Sequence, residues 1–499
     1  MECKGSRLRA FAIVLILLRR FRWVYCQLEM LRHCLPPSVR GVLDELPETL
    51  DETYERVLRD INKANREHAL RLLHCLTVSI RPLRVEELAE VLAVDFNAAR
   101  QGGIPKLNPD WRWADQHQAV LSTCSSLIAV VDDGDFRVVQ FSHFSVKEFL
   151  TSDRLASSSE DVSRYHIFLK PAHTLLARAC LGVLLRLDDT ANKENAKDIP
   201  LAEYAAQYWV DHARFEDVSS CISEAMEYFF DMDKPHWAAW IRVCNIDAYW
   251  NFYSPYGVND AFPLYYASLC GFYDLVEHLI SKNPEHISAR GGHLVTPLVA
   301  ALYKEHFQVA ELLFLHSADV DVRGDCDNTP LTIACSIGPE AVVPWLLDHG
   351  ADINARMEGG YTSLHLAAWH GQLKSAQALL KHDLDVSPRK VLGAVPLHLA
   401  VDPIRSHPDQ FHIVRSLLDH GADANTQDDE GSAPLHYLSR ARDWHAIDRA
   451  IEGAQLLLKH GADIAAKDNR GRTPLQLALE HGNDEMKRFL SEHGATSSD

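Results

Sequence analysis

The sequence predicts a mainly α-helical protein in which a small helix-and-hairpin region precedes a long stack of short helix pairs. Three observations carry this expectation. A three-residue step ending in leucine recurs at near-constant spacing through the second half, and apolar residues of the first half fall at helical period. A β-branched stretch with a turn at its middle interrupts those helices between 127 and 141. With 499 residues the chain exceeds what one core serves, and 47% apolar with 24% charged residues is ordinary for folded protein.

Taken from the N-terminus, residues 1–20 hold a nine-residue apolar run, 10–18, flanked by Arg7, Arg9, Arg19 and Arg20. It is too short to span the roughly 30 Å of a bilayer core, and no small-residue cleavage site follows. A buried helix is expected there, with a targeting segment as the alternative. Leu50, Tyr54, Val57, Leu58 and Ile61 share one helical face, opened by Thr49-x-x-Glu52 in capping-box form. A second helix runs from Val85 through Leu88, Ala89 and Leu92, and a hairpin joins 128–131 to 136–141 through Asp132-Asp133-Gly134-Asp135. Helix, helix, hairpin is the order of a winged-helix domain, placed here within 21–155. Residues 156–258 read as a helical connector: Ala172, Leu176, Ala179, Cys180 and Val183 keep a 3.6 period, while Tyr204, Tyr208, Trp209, Trp237 and Trp240 supply aromatic core. Pro255 and Gly257 mark its end.

From 259 to 499 the leucines of the recurring step are Leu264, Leu298, Leu331, Leu364, Leu397, Leu435 and Leu475, spaced by 34, 33, 33, 33, 38 and 40 residues. The excess of the two long intervals falls between the two helices of a unit, at 402–410 and 440–450. A Thr or equivalent two residues before each leucine suits a helix N-cap, with Thr362 capping through its hydroxyl, and Pro330 sits where its missing N–H costs nothing. Ala367 and Ala368 permit close helix approach, Leu379 and Leu380 give the stacking face, and Gly350 and Gly421 end second helices in a left-handed turn. The period and the Thr-Pro-Leu core make this segment similar to the ankyrin repeat, in seven copies.

The 27 histidines invite a metal reading, but His365, His398 and His436 occupy one repeat position, and His349, His420 and His460 another. Such residues are expected to bond helix starts and ends, and no metal or cofactor is expected. Asp325-Cys326-Asp327-Asn328 lacks the glycine and closing glutamate of a calcium loop and reads as a turn.

Upstream, the segments Phe21 to Leu28, Leu46 to Leu58, Arg81-Pro82-Leu83-Arg84-Val85-Glu86-Glu87-Leu88-Ala89 and Phe141-Ser142-His143-Phe144-Ser145-Val146-Lys147-Glu148-Phe149-Leu150 resemble those that follow the nucleotidase in fungal NACHT-type signalling proteins. The resemblance implies the tail of a signalling switch with its repeats as sensor, and a cytoplasmic location. No Gly-x-x-x-x-Gly-Lys-Ser/Thr string exists in the 499 residues, so no nucleotide-binding residue is carried over. A P-loop encoded upstream of this chain would make it part of a full nucleotide-dependent switch.

The net charge of −19 disfavours nucleic acid, and Val85 to Val94 lacks a basic face. With no Gly-x-Ser-x-Gly and no His-Glu-x-x-His either, neither an enzyme nor a small-molecule substrate is expected. The expected function is capture of a protein partner. Ankyrin-like proteins make their contacts from the turn before each Thr-Pro-Leu and from the first helix five to six residues after the leucine. Carried onto this frame, the helix positions are Tyr303, Lys304, Trp369 and His370. The turn positions are Asp325, Asn328, Glu358, Tyr361, Arg470 and Arg472. Trp369 is the expected anchor, because a repeat scaffold does not require tryptophan there.

Overall fold

The computed structural model describes residues 49–96, 104–124, 126–247, 261–402, 409–441 and 444–495. The apolar run 10–18, the segment 21–28 and the break at Pro255 and Gly257 lie outside them. The chain divides into two compact units, Met1–Tyr249 and Trp250–Asp499.

In the first unit, α1 (Leu50–Arg59) opens on the expected capping box: Glu52 N donates to Thr49 Oγ1 at 3.2 Å, and Thr49 N to Glu52 Oε2 at 3.4 Å. There follow α2 (Arg66–Val78), β1 (Leu83–Arg84), α3 (Val85–Leu92), the ladder of β2 (Val94–Asp95) with β3 (Lys106–Leu107), then α4 (Gln116–Cys124), β4 (Ile128–Asp133) and β5 (Phe136–Phe141). The sheet is antiparallel in the order β1-β5-β4, with Val130 opposite Val139 and Asp133 opposite Phe136. That last pair closes a two-residue turn whose first position, Gly134, takes φ +61, a conformation glycine adopts without strain. Helices α2, α3 and α4, with the short strand β1 after the first of them and the β4–β5 hairpin closing the sheet, form the winged-helix domain, and α1 precedes them.

Its recurring sequence words have structural causes. Glu87, fully buried, accepts from Arg81 Nη2 and Nη1 at 2.6 and 2.8 Å and from the Arg84 amide at 2.8 Å, which fixes the start of α3. Fully buried Glu90 is gripped the same way by both Nε and Nη2 of Arg112. In α5 (Phe144–Leu150), His143 caps the helix by accepting from Ser145 N at 3.2 Å, and Ser145 Oγ meets Tyr54 Oη at 2.9 Å.

The segment after α5 continues as helix. Helix α6 (Leu169–Leu184) packs against α2 on one side and α7 (Ala202–Ala213) on the other. The reason lies in its burial: beside the periodic Leu176 and Cys180, Ala177, Leu181 and Gly182 are buried too, so more than one face needs a partner. Trp209 and Trp240 meet edge to face at 5.3 Å, and Trp240 Nε1 donates to Ala206 O at 2.8 Å.

The second unit holds seven helix pairs among the described residues, numbered here as repeats one to seven. Their first helices are Pro263–Cys270, Pro297–Tyr303, Pro330–Ile337, Ser363–His370, Pro396–Ala400, Pro434–Ser439 and Pro474–Glu480; from repeat two the second helices are Phe307–Leu315, Val342–Asp348, Leu373–Leu380, Gln410–Asp419, Trp444–Lys459 and Asp484–Glu492, after Tyr273–Lys282 in repeat one. First helices stack on first helices and second on second between repeats one and two and from repeat three to repeat seven. The hydroxyls of Thr329 and Thr473 accept from the amides three residues on, both at 3.3 Å. Repeat four departs from expectation: the cap is the imidazole of His365, whose Nδ1 lies 3.2 Å from the Thr362 amide and 3.0 Å from its hydroxyl. Gly350 and Gly421 adopt φ +86 and +92 as their turns require, and Ser317 holds the same position at +74. The first insertion falls between the helices of repeat five. The second is largely absorbed as helix, since Trp444–Lys459 runs 16 residues against 9 for Phe307–Leu315.

Candidate protein-binding surface

Between consecutive first helices the chain makes a turn that projects from the stack, and these turns are tied to one another. Arg323, Arg356, Arg389, Gln427 and Lys467 occupy one repeat position. Arg323 Nη1 donates to Arg356 O at 3.0 Å, Arg356 Nη1 to Arg389 O at 2.9 Å, Arg389 Nη1 to Gln427 O at 2.9 Å and Gln427 Nε2 to Lys467 O at 3.2 Å. At the turn tips Val391 N donates to Gly359 O (2.7 Å), Asp429 N to Leu392 O (3.0 Å) and Asn469 N to Glu430 O (2.9 Å). These bonds hold the tips in register, so side chains standing on them form one surface.

On that surface the expected contact residues separate into groups. In repeat four, Tyr361 at the turn and Trp369 and His370 on the helix come together: the Tyr361 and Trp369 rings lie 5.5 Å apart, those of Trp369 and His370 6.3 Å, and all three residues are half-buried. Lys390 of the next turn sets its Nζ 4.9 Å from the Tyr361 ring centroid, a cation–π distance. Trp369 therefore leans on its own repeat's turn. Glu358 stands exposed at the same tip. In repeat two, Tyr303 is half-buried and the Nζ of the exposed Lys304 lies 5.8 Å from its ring centroid.

The turn positions of repeats three and seven behave differently. Asp325 opens the short 3-10 turn Asp325–Asp327. Asn328 is half-buried, and its Oδ1 is buried without a hydrogen-bond partner. Arg470 is exposed. Arg472 is committed inside its own repeat: Nε and Nη2 grip buried Asp468 at 2.9 and 2.8 Å, and Nη1 reaches Glu480 at 3.1 Å. A partner contacting it meets a neutralised group.

Two residues outside the expected set are the most exposed apolar side chains of these turns: Val391 at 61% and Leu392 at 69%. The repeat frame leads one to expect polar residues at a turn tip, as Asp429-Glu430 and Asn469-Arg470 are, so only direct comparison of the aligned turns reveals them.

The histidine series is structural. In repeats four, five and six Nδ1 accepts the amide at the helix start, so the proton sits on Nε2, which donates to the next repeat: His365 to Ala394 O at 3.2 Å, His398 to Ser432 O at 3.0 Å and His436 to Arg472 O at 3.1 Å. His349 and His420 bond the carbonyls four residues back, both at 2.7 Å. His460 differs, its Nε2 lying 3.9 Å from Asp419. Among the described residues no three His, Cys, Asp or Glu side chains are grouped to hold a metal ion, and no helix is long and apolar enough to cross a membrane.

Comparison with known proteins agrees with this architecture. Residues 298–390 and 395–498 match the ankyrin-repeat family, and residues 54–160 match the family described as GPI inositol-deacylase, winged helix domain. The chain is 30% identical over 299 residues to the azaphilone pigments biosynthesis cluster protein L of Monascus ruber, an alignment covering 56% of this chain and 61% of that protein. It is 35% identical over 63 residues to alpha-latrocrustotoxin-Lt1a of Latrodectus tredecimguttatus, covering 13% of this chain and 4% of the toxin. The chain thus matches less than two thirds of the length of either relative. It joins a winged-helix domain of the GPI inositol-deacylase type to an array of ankyrin repeats.

Proposed function

We propose that the protein is a non-catalytic interaction module that captures a protein partner on the turns and first helices of its ankyrin array, as the recognition part of a NACHT-type signalling protein working in the cytoplasm. The observation that carries this reading is the cluster in repeat four, where Tyr361 and Trp369 present two large rings at 5.5 Å on a surface held in register by main-chain bonds. Rigid, half-exposed aromatics on a rigid scaffold are the usual anchors of protein interfaces. The winged helix supports the same reading. Its last helix before the hairpin, α4, would be the element to enter a DNA groove, and Gln116–Cys124 contains no lysine or arginine.

Affinity capture with wild type and Trp369→Ala tests the proposal. The variant is expected to lose about 2 kcal/mol or more of partner affinity while its melting temperature stays within a few degrees. Unaltered capture by the variant would place the partner elsewhere. The non-catalytic reading is tested separately: excess ATP or GTP should leave the melting temperature unchanged, whereas bound nucleotide would raise it by mass action.

A further inference from the structure

The turn of repeat five differs from those of repeats six and seven in two ways. Where repeats six and seven carry Asp429-Glu430-Gly431 and Asn469-Arg470-Gly471, repeat five carries Val391-Leu392-Gly393. Leu392 is 69% exposed and is held at φ +71, in the left-handed region that non-glycine residues resist. Cys326 and Gly359 take φ +55 and +76 at the same turn position, so the conformation belongs to the turn, but the exposure of a leucine there gives the folded array nothing. The conformation persists because the tip is bonded on both sides, Val391 N to Gly359 O and Asp429 N to Leu392 O. A strained residue kept in place by its surroundings, with a large apolar side chain facing water, marks a contact site.

The surroundings indicate what contacts it. Arg290, Arg323, Arg356 and Arg389 recur at one repeat position and all four are exposed. Arg323 and Arg356 are oriented by Nη1 bonds to the next turn, which leaves Nε and Nη2 without partners among the described residues; Arg290 has no partner among them either, while Arg389 already pairs its Nη2 with Asp429 at 3.0 Å, so the unpaired charges of the row are those of Arg290, Arg323 and Arg356. Lys390 adds a charge beside the Tyr361 ring. A row of oriented guanidiniums on a chain of net charge −19 is complementary to carboxylates. Glu358 and Asp327 stand exposed in the same row and oppose a continuous polyphosphate, whereas a peptide can alternate charge with apolar side chains.

Resting on the protein-binding reading above, we propose that the turns of repeats three to five dock an extended acidic peptide segment of the partner, with Leu392 and Val391 taking its apolar side chains and the arginine row its carboxylates.

The test uses the full chain and three fluorescent probes of equal length, followed by anisotropy: a Glu-Leu peptide, a Lys-Leu peptide and single-stranded DNA. The Glu-Leu peptide is expected to bind tightest, to weaken as salt is raised, and to lose about tenfold in affinity with Leu392→Gly and again with Arg356→Ala. Leu392→Gly relieves the backbone, so its melting temperature should equal or exceed that of wild type, which separates lost contact from lost fold. Equal binding of the Glu-Leu and Lys-Leu peptides, tighter binding of the DNA, or indifference to Leu392→Gly would overturn the proposal. So would a wild-type dimer that Leu392→Gly converts to monomer, since the occupant would then be a second copy of this chain. If the peptides fail while capture remains sensitive to Trp369→Ala, the interaction reading stands and only this assignment falls.

Discussion

The residue after each repeat leucine shows how one side chain joins a local task to a long-range one. His365, His398 and His436 close their own helix start with Nδ1 and bond the next repeat with Nε2. In repeat one Tyr265 makes the long-range link, accepting from Leu294 N through its hydroxyl at 3.2 Å, and in repeat seven Gln476 makes the local one, accepting from Thr473 N at 2.9 Å. Replacing His398 by Gln should therefore keep the cap and lose the link to Ser432 O, costing about 1 kcal/mol, and His398→Ala should cost more because two buried polar groups lose their partner. Denaturant titration of both variants decides the order; equal losses would mean that the cap contributes nothing. A second test lies in the first unit. Arg112→Ala leaves Glu90 buried and unpaired and should cost about 3 kcal/mol, and adding Glu90→Leu should recover much of that, because an apolar residue needs no partner in that site.

At the scale of elements, what is local is readable and what depends on distant neighbours is not. The caps at Thr49, Thr329 and Thr473 and the glycine turns at Gly350 and Gly421 follow from residues within four positions of each other, and they form as expected. Helix α4 escaped notice because Gln-His-Gln-Ala-Val-Leu-Ser-Thr-Cys has little apolar periodicity, and β1 is two residues long. The surface was legible in part. Tyr361 and Trp369 followed from the repeat frame, whereas the neutralisation of Arg472 by Asp468 and Glu480, and the exposure of Leu392, depend on how side chains fold back or fail to. The left-handed helix ends permit a paired experiment. A methyl group at Gly350 would meet only open space, so Gly350→Ala should cost about 1 kcal/mol through backbone strain alone. Ser317 already bears that strain at φ +74, and Ser317→Gly should stabilise by a similar amount. Thermal melts that move in the same direction for both would refute a shared backbone cause.

For the molecule as a whole, the buried imidazoles set a pH limit on stability. Burial holds His365 down at about 4 and lowers His398 and His436 as well; in the first unit it lowers His173, and it holds His74 at about 4 and His212 at about 3. An unfolded histidine titrates near 6.5, so between that value and the folded one the unfolded chain binds more protons. Stability is thus complete above about pH 6.5 and falls as pH is lowered toward 4, with His365 alone contributing a loss of the order of 3 kcal/mol. Carboxylates such as Asp468, where burial pushes up but the bonds to Arg472 and neighbouring amides pull further down, act in the same direction but at more acid pH, so the interval from about 6.5 to 5 isolates the histidines. The repeat histidines are also the inter-repeat links, and charging His365 places a cation beside Arg356 and Lys390, whereas His398 and His436 face Asp428 and Asp468 as well as Arg389 and Arg440, so burial is what opposes their charging. The array is therefore expected to lose cooperativity at its middle repeats first. Amide exchange measured across that interval should accelerate earliest in repeats four to six, and replacing His365, His398 and His436 together by Gln should flatten the pH dependence of melting there. A triple variant whose melting temperature falls with pH as steeply as that of wild type would show that the sensitivity comes from other groups.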